Sequence, residues 1–351
     1  MNLSHTNMNR IKLALGIVIF FSLSQKIKAQ QRPHYTQYIL NQYILNPALS
    51  GIENYTDVKV SHRIQWQGLS GAPVTTYLSL HAPIGKKDYK TTATSFPVNG
   101  ENPRGRQYWQ DYEASAPHHG IGLQVVNDKA GPFNTFTAYG TYAYHIGLNS
   151  RTNLSAGFGL GLNRVNLNTN KLYFGNGVTV DPAVQGSGIL GRMKFDLNAG
   201  LWLYSADYFA GVSVQQIVPQ QLEFADNVVR QVQGKKVPHF FATTGFRMMV
   251  SDDVNMIPSV MVKYVNNTPL QADLNLKFQY RDLIWAGASY RSQYGFAAMA
   301  GIRALNSVMI SYSYDYTTTR LNQVSNGSHE VILGFMIGNR YNQETCPKNV
   351  W

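Results

Sequence analysis

The chain has 351 residues and a formal charge of +11, but charged residues make up only 14% of it, against about a quarter in ordinary soluble domains. Gly (30) and Tyr (22) are abundant, and the mean hydropathy is slightly negative at −0.23. A chain that alternates apolar and polar residues averages to a neutral hydropathy while presenting one apolar face. The composition therefore favours a single membrane-embedded β-domain over an ordinary soluble enzyme, and no linker-like segment divides the chain.

The first 29 residues have the features of a secretory signal. A basic start at Arg10 and Lys12 precedes an apolar run over residues 13–23, which is too short to span a bilayer as a mature helix, and cleavage is expected after Ala29. Removing this segment takes away four of the 30 basic residues and no acidic residue, which leaves 26 against 19 and a net charge of +7. No basic run with interleaved aromatic residues stands out, so nucleic acid is not an expected partner. A basic lumen or rim suits acidic partners or lipid phosphates instead.

Residues 33–51, with the sequence PHYTQYILNQYILNPALSG, follow the signal and differ from the strand-like remainder. Apolar residues recur at spacings of three and four: Tyr35, Tyr38, Ile39, Tyr43 and Ile44. This pattern favours a short amphipathic helix or a turn-rich plug, with Thr36 as its cap. Pro47 is expected to end it, because the residue before a proline avoids the helical region. The alternative is an arm that simply packs on the domain.

Period-two alternation predicts about fourteen strands in the rest of the chain. The clearest covers residues 270–281, where apolar residues at even positions alternate with polar ones. The predicted strands are 56–67, 73–82, 119–127, 134–146, 153–163, 193–204, 208–217, 238–250, 254–265, 270–281, 284–292, 295–304, 308–316 and 328–338. An even number of strands of roughly nine to thirteen residues is typical of outer-membrane proteins. The predicted fold is therefore all-β, a transmembrane outer-membrane β-barrel of antiparallel strands with a short N-terminal plug or arm.

Connection lengths predict which end of the barrel faces the periplasm. Short periplasmic turns are expected at 147–152, 205–207, 251–253, 282–283 and 305–307, and longer external loops at 165–192, 218–237 and 317–327. The long segment 84–118 is the exception on the periplasmic side, and it indicates either an insertion or a miscounted strand. The resulting division is a signal peptide (1–29), a plug or arm (30–55), the barrel (56–338) and a periplasmic tail (339–351).

Catalytic and metal-binding motifs are not found. The sequence lacks a G-x-S-x-G elbow, an H-E-x-x-H pair and a phosphate loop. The pairs His118-His119 and Asp252-Asp253 have no further ligands nearby, so neither a metal nor another cofactor is expected. Cys346 is the single cysteine and has no internal disulfide partner. We therefore expect no enzymatic activity; the enzymatic alternative is a membrane phospholipase with a Ser/His pair in the lumen or at its rim.

One strand indicates a filled interior. In the strand 153–163 the outer face is apolar, and the inner face carries Gly157, Gly159 and Gly161. Such a glycine run usually marks the close approach of another backbone. We expect a plug or a partner's strand to lie against this wall; the alternative is that the glycines only accommodate twist and bending of the barrel.

Several motifs in a fixed order resemble one known family. They are HYTQYILNQYILNPALSG (34–51), SHRIQW (61–66), GAP (71–73), APIG (82–85), GIGL (120–123) and NDKAGP (127–132). From these the chain is identified as similar to the PorP/SprF family, outer-membrane proteins of the type IX secretion and gliding machinery of Bacteroidota. The long insertion at 84–118 departs from the usual compact connection of that family.

The resemblance implies a non-enzymatic barrel in the cell outer membrane that works with a secreted surface protein bearing a type IX C-terminal signal, such as an adhesin. It would aid export of that protein or hold it at the surface. Some members of the family instead contact other components of the system in the periplasm, and outer-membrane lipids surround all of them. A passive channel or hydrophobic-solute transporter is the alternative. The residues expected to contact a partner are Tyr35, Gln37, Tyr38, Asn46, Pro47, Gly157, Gly159 and Gly161.

Overall fold

The computed structural model describes residues 33–86, 112–172, 189–218, 220–222, 234–266, 268–281, 283–305 and 307–338. Its strands are β1 (Thr56–Ile64), β2 (Val74–Ile84), β3 (His118–Ala130), β4 (Phe133–Asn149), β5 (Thr152–Asn168), β6 (Ile189–Tyr204), β7 (Tyr208–Gln215), β8 (Gln220–Leu222), β9 (Gly234–Lys236), β10 (His239–Phe246), β11 (Met248–Met249), β12 (Val254–Val265), β13 (Gln271–Tyr280), β14 (Ile284–Arg291), β15 (Gly295–Leu305), β16 (Val308–Thr317) and β17 (Ser328–Ile337). Within these ranges no helix is long and apolar enough to cross a membrane.

Fourteen of these strands close into one antiparallel barrel, which confirms the predicted fold. Each pairs with its neighbours in sequence order. The ring closes where β1 pairs with β17, and β10 bridges β7 and β12. The short β11 only adds to β12, and β8 pairs with β9 in a separate small hairpin. Closure places Arg63 of β1 directly opposite Glu330 of β17, so residues from both ends of the chain meet on one wall.

The two faces of the wall have opposite chemistry. On β13 the exposed side chains are apolar and the buried side chains are polar: Leu274, Leu276 and Phe278 face outward, and Asp273, Asn275 and Lys277 face inward. This is the reverse of a soluble domain and is the arrangement expected where hydrocarbon surrounds the barrel. The interior must therefore satisfy a large number of polar groups.

Strands β4 to β6 are longer than predicted. β5 continues to Asn168 and β6 begins at Ile189, so both ends of the expected loop 165–192 are paired strand; residues 173–188 lie outside the described residues. Beyond Asn163 the exposed residue is Arg164 and the buried residue is Val165. The polarity of the two faces therefore inverts on β5, although its partners across the ladder, Phe136 and Met193, keep exposed apolar side chains beside Arg164. An apolar outer face therefore predicts β5 only as far as Asn163, although the strand continues to Asn168.

Two smaller corrections concern strand ends. β3 and β4 meet at a tight turn at residues 131–132, so residues 128–130, predicted as loop, belong to β3. The predicted strand 238–250 is divided into β10 and β11 at the buried Arg247. The β10–β12 ladder ends at the pair Gly245–Ser259, next to Pro258, which has no N–H to donate to a ladder.

The connections define two ends of the barrel. At the turn end, four connections have only two or three residues (150–151, 205–207, 281–283 and 306–307), and β1 begins there. At the loop end lie the longer connections 65–73, 169–188, 216–238 and 318–327, together with the short connections 131–132, 266–270 and 292–294. The predicted alternation is confirmed. The segment 85–117 joins β2 to β3 at the turn end and is not a miscounted strand; its residues 87–111 lie outside the described part of the chain.

Candidate functional site: the segment inside the barrel

Residues 33–55, here called the N-terminal arm, lie inside the barrel. The arm forms three 3-10 turns, η1 (Thr36–Leu40), η2 (Gln42–Ile44) and η3 (Pro47–Leu49). Every residue from 35 to 53 is buried. Of the two predicted conformations, the turn-rich one is found. The prediction that Thr36 caps the first turn is wrong. Tyr35 occupies the cap position, and the Thr36 side chain bonds to the barrel wall.

Asn46 ties the third turn to the wall. Its backbone is extended (φ −137°, ψ 113°), as expected for a residue before a proline. Pro47 does not end the segment, contrary to the prediction. It begins η3, because the first turn of a helix needs no N–H there. The Asn46 Oδ1 accepts the Ala48 N–H at 3.0 Å. The Asn46 Nδ2 donates to the carbonyls of Leu201 at 3.0 Å and Val212 at 3.2 Å, so one amide joins η3 to β6 and β7.

A charged cluster, Arg63, Asp315 and Glu330, holds the first turn. The Arg63 guanidinium lies 2.6 Å from Asp315 Oδ2 and 3.3 Å from Glu330 Oε2, and all three side chains are at most 1% exposed. The Thr36 N–H donates to Glu330 Oε2 at 2.8 Å. The Thr36 hydroxyl accepts from Arg63 at 2.7 Å and donates to Asp315 at 2.6 Å.

The cluster and the arm depend on each other. Two carboxylates share the Arg63 guanidinium, and a buried charge costs several kcal/mol unless hydrogen bonds add to its compensation. The two donors of Thr36 supply part of that compensation, and the Gln37 side chain adds a bond to the Glu330 carbonyl at 2.8 Å. The amino end of the arm is therefore electrostatically matched to β1, β16 and β17.

Gly157 on the opposite wall lies directly beneath the third turn. A Cβ at this position would lie 2.6 Å from the Ala48 Cα. Ser155, on the same face of β5, donates to the Ala48 carbonyl. Gly200 pairs with Gly157 across β5 and β6, and a Cβ there would overlap the Asn46 amide. The backbone approach expected from the glycine run is present at Gly157.

Gly159 and Gly161 lie against side chains of β4 and not against the arm. A Cβ at Gly159 would lie 3.2 Å from the Thr141 Cγ2, and one at Gly161 would overlap the Tyr139 ring. Both neighbours belong to β4. These two glycines therefore accommodate side chains of the next strand, whereas only Gly157 of the three meets the arm backbone in its nearest contacts.

Three further glycines at the turn end were missed by the sequence reasoning. Gly51 has a positive φ of 73°, and its backbone is so close to Gly120 that a Cβ on either residue would overlap the other segment. A Cβ at Gly122 would overlap the Tyr43 hydroxyl. A signal was present, because GIGL at 120–123 places two glycines on one face of a strand exactly as the run in β5 does.

The wall also donates to the main chain of the arm. The Gln215 Nε2 donates to the carbonyls of Ile44 and Leu45, at 2.9 Å each, and the Gln124 Nε2 donates to the Tyr43 carbonyl at 2.5 Å. Ser213 adds a bond to the Leu45 carbonyl at 2.7 Å. These side chains bond to main-chain carbonyls, so their contacts do not depend on which side chains the arm carries at these positions. They were not singled out from the sequence, where they are ordinary inward polar residues of strands.

The five arm residues predicted to contact a partner all bond or pack within their own barrel. The Tyr35 ring packs edge-on against Tyr77 with centroids 5.4 Å apart. The Tyr38 hydroxyl accepts from the Asn275 side-chain amide at 2.5 Å. Gln37, Asn46 and Pro47 are equally buried. A role in partner contact stays a prediction, and it requires the arm to move first.

The two residue pairs considered as metal ligands have different surroundings in the structure. His118 is buried and His119 is exposed, on opposite faces of β3. Asp253 is held by Arg281 through bonds of 2.9 and 3.0 Å, and this hydrogen bonding lowers the pKa of Asp253. In the part of the chain described, no group of three or more His, Cys, Asp or Glu side chains is placed to hold a metal ion.

A family described as "Type IX secretion system membrane protein PorP/SprF" matches residues 27–335. The match takes in the whole arm, the charged cluster and almost all of β17. The chain belongs to the PorP/SprF family. The family resemblance suggested by the sequence is thus confirmed, and with it the placement of this PorP/SprF barrel in the outer membrane.

Solved structures with a similar barrel are distant from this PorP/SprF chain. The toluene transporter TbuX of Ralstonia pickettii has a TM-score of 0.48 at 10% identity and covers 85% of this chain and 92% of its own. The toluene transporter TodX of Pseudomonas putida has a TM-score of 0.42 at 10% identity and covers 87% of this chain and 94% of its own. A FadL homologue of Pseudomonas aeruginosa has a TM-score of 0.42 at 10% identity and covers 86% of this chain and 93% of its own. A search of curated proteins found no match.

Replacing Arg63 with Met should destabilise the barrel strongly. The substitution leaves Asp315 and Glu330 buried without their cation, a loss of about 3–5 kcal/mol in the free energy of unfolding. Denaturant unfolding in lipid vesicles measures it. The triple variant Arg63→Met, Asp315→Asn, Glu330→Gln should recover most of the loss. The control Arg281→Met, which breaks a partly exposed ion pair with Asp253, should change little. A single variant as stable as the wild type would contradict the role assigned to the cluster.

Replacing Asn46 with Asp should loosen the third turn without opening the barrel. The carboxylate still caps Ala48 but has no donor for the Leu201 and Val212 carbonyls, and each buried group left unsatisfied costs about 1–3 kcal/mol. Hydrogen exchange in residues 42–50 should therefore become faster, while exchange in β13 stays unchanged. Asn322→Asp, the same change in an exposed loop, is the control. Equal protection of residues 42–50 in both variants would show that the Asn46 amide does not hold the arm.

Proposed function

We propose that this protein is a non-enzymatic component of the type IX secretion system that binds a secreted protein and aids its export or its attachment at the cell surface. The observation that supports this most is the occupied lumen. The N-terminal arm bonds to both sides of the wall, at the charged cluster on β1, β16 and β17 and at β4 to β7. A lumen filled in this way suits a barrel that engages proteins better than one that conducts solutes.

The chemistry of the wall indicates what kind of partner suits it. Gln124, Ser213 and Gln215 donate to main-chain carbonyls of the arm, and Gly157 allows a backbone to approach closely. Main-chain bonds provide affinity without requiring one particular sequence. A segment of a secreted polypeptide that displaces the arm would find the same donors, so we propose that the lumen receives peptide rather than a small apolar solute.

Recovery of a bound partner tests this proposal. Affinity-tagged protein is purified from native outer membranes in mild detergent, and co-purifying proteins are identified by mass spectrometry. We expect a large secreted protein with a type IX C-terminal signal to be enriched. A second sample carries Leu276→Ala on the lipid-facing side of β13, which should recover the same partner.

An unrelated outer-membrane barrel with the same tag controls for non-specific recovery. If the two barrels recover the same proteins, and no secreted protein is enriched with the wild type, the binding role is contradicted. That result together with steady conductance would instead favour a passive channel or hydrophobic-solute transporter.

A further inference from the structure

The direction in which the arm passes through the lumen has a consequence for membrane topology. The carboxyl end of the arm must lie at the turn end, because β1 begins there at Thr56. The amino end lies at the other end of the barrel. The His34 ring stacks on Tyr294, with centroids 6.0 Å apart, and Tyr294 belongs to the loop-end connection between β14 and β15.

Contacts along the arm progress steadily from one end to the other. Thr36 bonds to Asp315, close to the loop-end terminus of β16. Tyr38 bonds to Asn275, midway along β13. Near the carboxyl end, the His145 Nε2 donates to the Ser50 carbonyl at 2.8 Å, close to the turn-end terminus of β4. The arm therefore crosses the full height of the barrel.

The loop end corresponds to the outside of the cell. Outer-membrane barrels carry short turns on the periplasmic side and longer loops outside. Here four of the six connections of two or three residues lie at the turn end, and the connections 169–188, 216–238 and 318–327 all lie at the loop end. The segment 85–117 is long and lies at the turn end, and its described flank folds back onto that end, where the Ala114 N–H donates to the Ser150 carbonyl at 2.8 Å. The four-strand extension of β3 to β6 projects at the loop end.

We infer that the amino end of the arm opens on the external face of the outer membrane, so that the chain runs inward through its own barrel before it enters β1. This inference concerns topology and stands whether or not a secreted protein binds. It also restricts how the lumen can open. Because the arm is joined to β1 at the turn end, its amino end must be withdrawn toward the periplasm to clear the lumen. A partner at the cell surface meets Pro33 and His34 before any other part of the arm.

Cysteine labelling in intact cells tests the inference. In a Cys346→Ser background, Pro33→Cys places a thiol on a half-buried residue at the amino end of the arm. A membrane-impermeant biotin maleimide is added to intact cells and, separately, to cells with a permeabilised outer membrane. Gln323→Cys, exposed in the β16–β17 loop, and Arg151→Cys, exposed in the β4–β5 turn, are the external and periplasmic controls.

We expect Pro33→Cys to be labelled in intact cells at a rate within tenfold of the external control, while Arg151→Cys is labelled only after permeabilisation. Labelling of Pro33→Cys only after permeabilisation, or only after denaturation, would overturn the inference. An epitope tag inserted between Gln31 and Arg32 gives a second readout that leaves the arm sequence intact. Antibody binding to this tag on intact cells supports external exposure, and binding only after permeabilisation contradicts it.

Discussion

The arrangement of this barrel depends on hydrogen bonding between its polar inner wall and its own N-terminal arm. A wall that faces lipid outside turns its polar side chains inward, and buried polar groups are costly unless they find partners. The arm supplies many of those partners. Thr36 completes the charged cluster at one end, and Asn46 bridges two strand carbonyls near the other. Between these anchors the wall holds the arm mostly by its main chain.

Two kinds of contact hold the arm, and they place different demands on sequence. The charged cluster needs one particular constellation, because Arg63 without its two carboxylates, or either carboxylate without Arg63, is a buried unpaired charge. The glycine contacts need only the absence of a side chain at positions such as Gly120 and Gly157. Membership of the PorP/SprF family places this arrangement in the type IX secretion system. The barrel holds its own peptide segment through backbone atoms, and this supports the proposal that its partner is a polypeptide.

Strand positions were largely predictable from the sequence because the alternation of apolar and polar residues is set by the bilayer. All fourteen barrel strands were anticipated, although 238–250 is divided in two. The prediction was wrong beyond Asn163 in β5, because there the exposed residue, Arg164, is polar and the buried residue, Val165, is apolar. The segment 33–51 was recognised as distinct, but its 3-10 turns follow from contacts with the wall that no local pattern encodes.

The residues that hold the arm were the least predictable part. Arg63 in β1 lies more than 250 residues before Asp315 and Glu330 in the last two strands. In the sequence, each of the three looks like an ordinary inward polar residue. Only closure of β1 against β17 brings them together. Gly157 was identified because glycine on one face of a strand has a direct steric meaning, whereas Gly159 and Gly161 share that pattern and serve neighbouring side chains. Glycine spacing in the sequence predicts where a side chain is absent from the wall. Only the fold shows whether the arm or a neighbouring side chain occupies that space.

Single-channel recording in planar bilayers tests most directly whether the arm closes the lumen. Wild-type protein is compared with a variant lacking residues 33–51, after both have been shown to be folded by their gel mobility before and after heating. The wild type should show no steady open level, and the deletion variant should show a steady ohmic conductance, because the arm lies in the lumen from the loop-end contact of Thr36 to the turn-end contact of Ser50. Equal, steady conductance of the two proteins would contradict the claim that the arm fills the barrel.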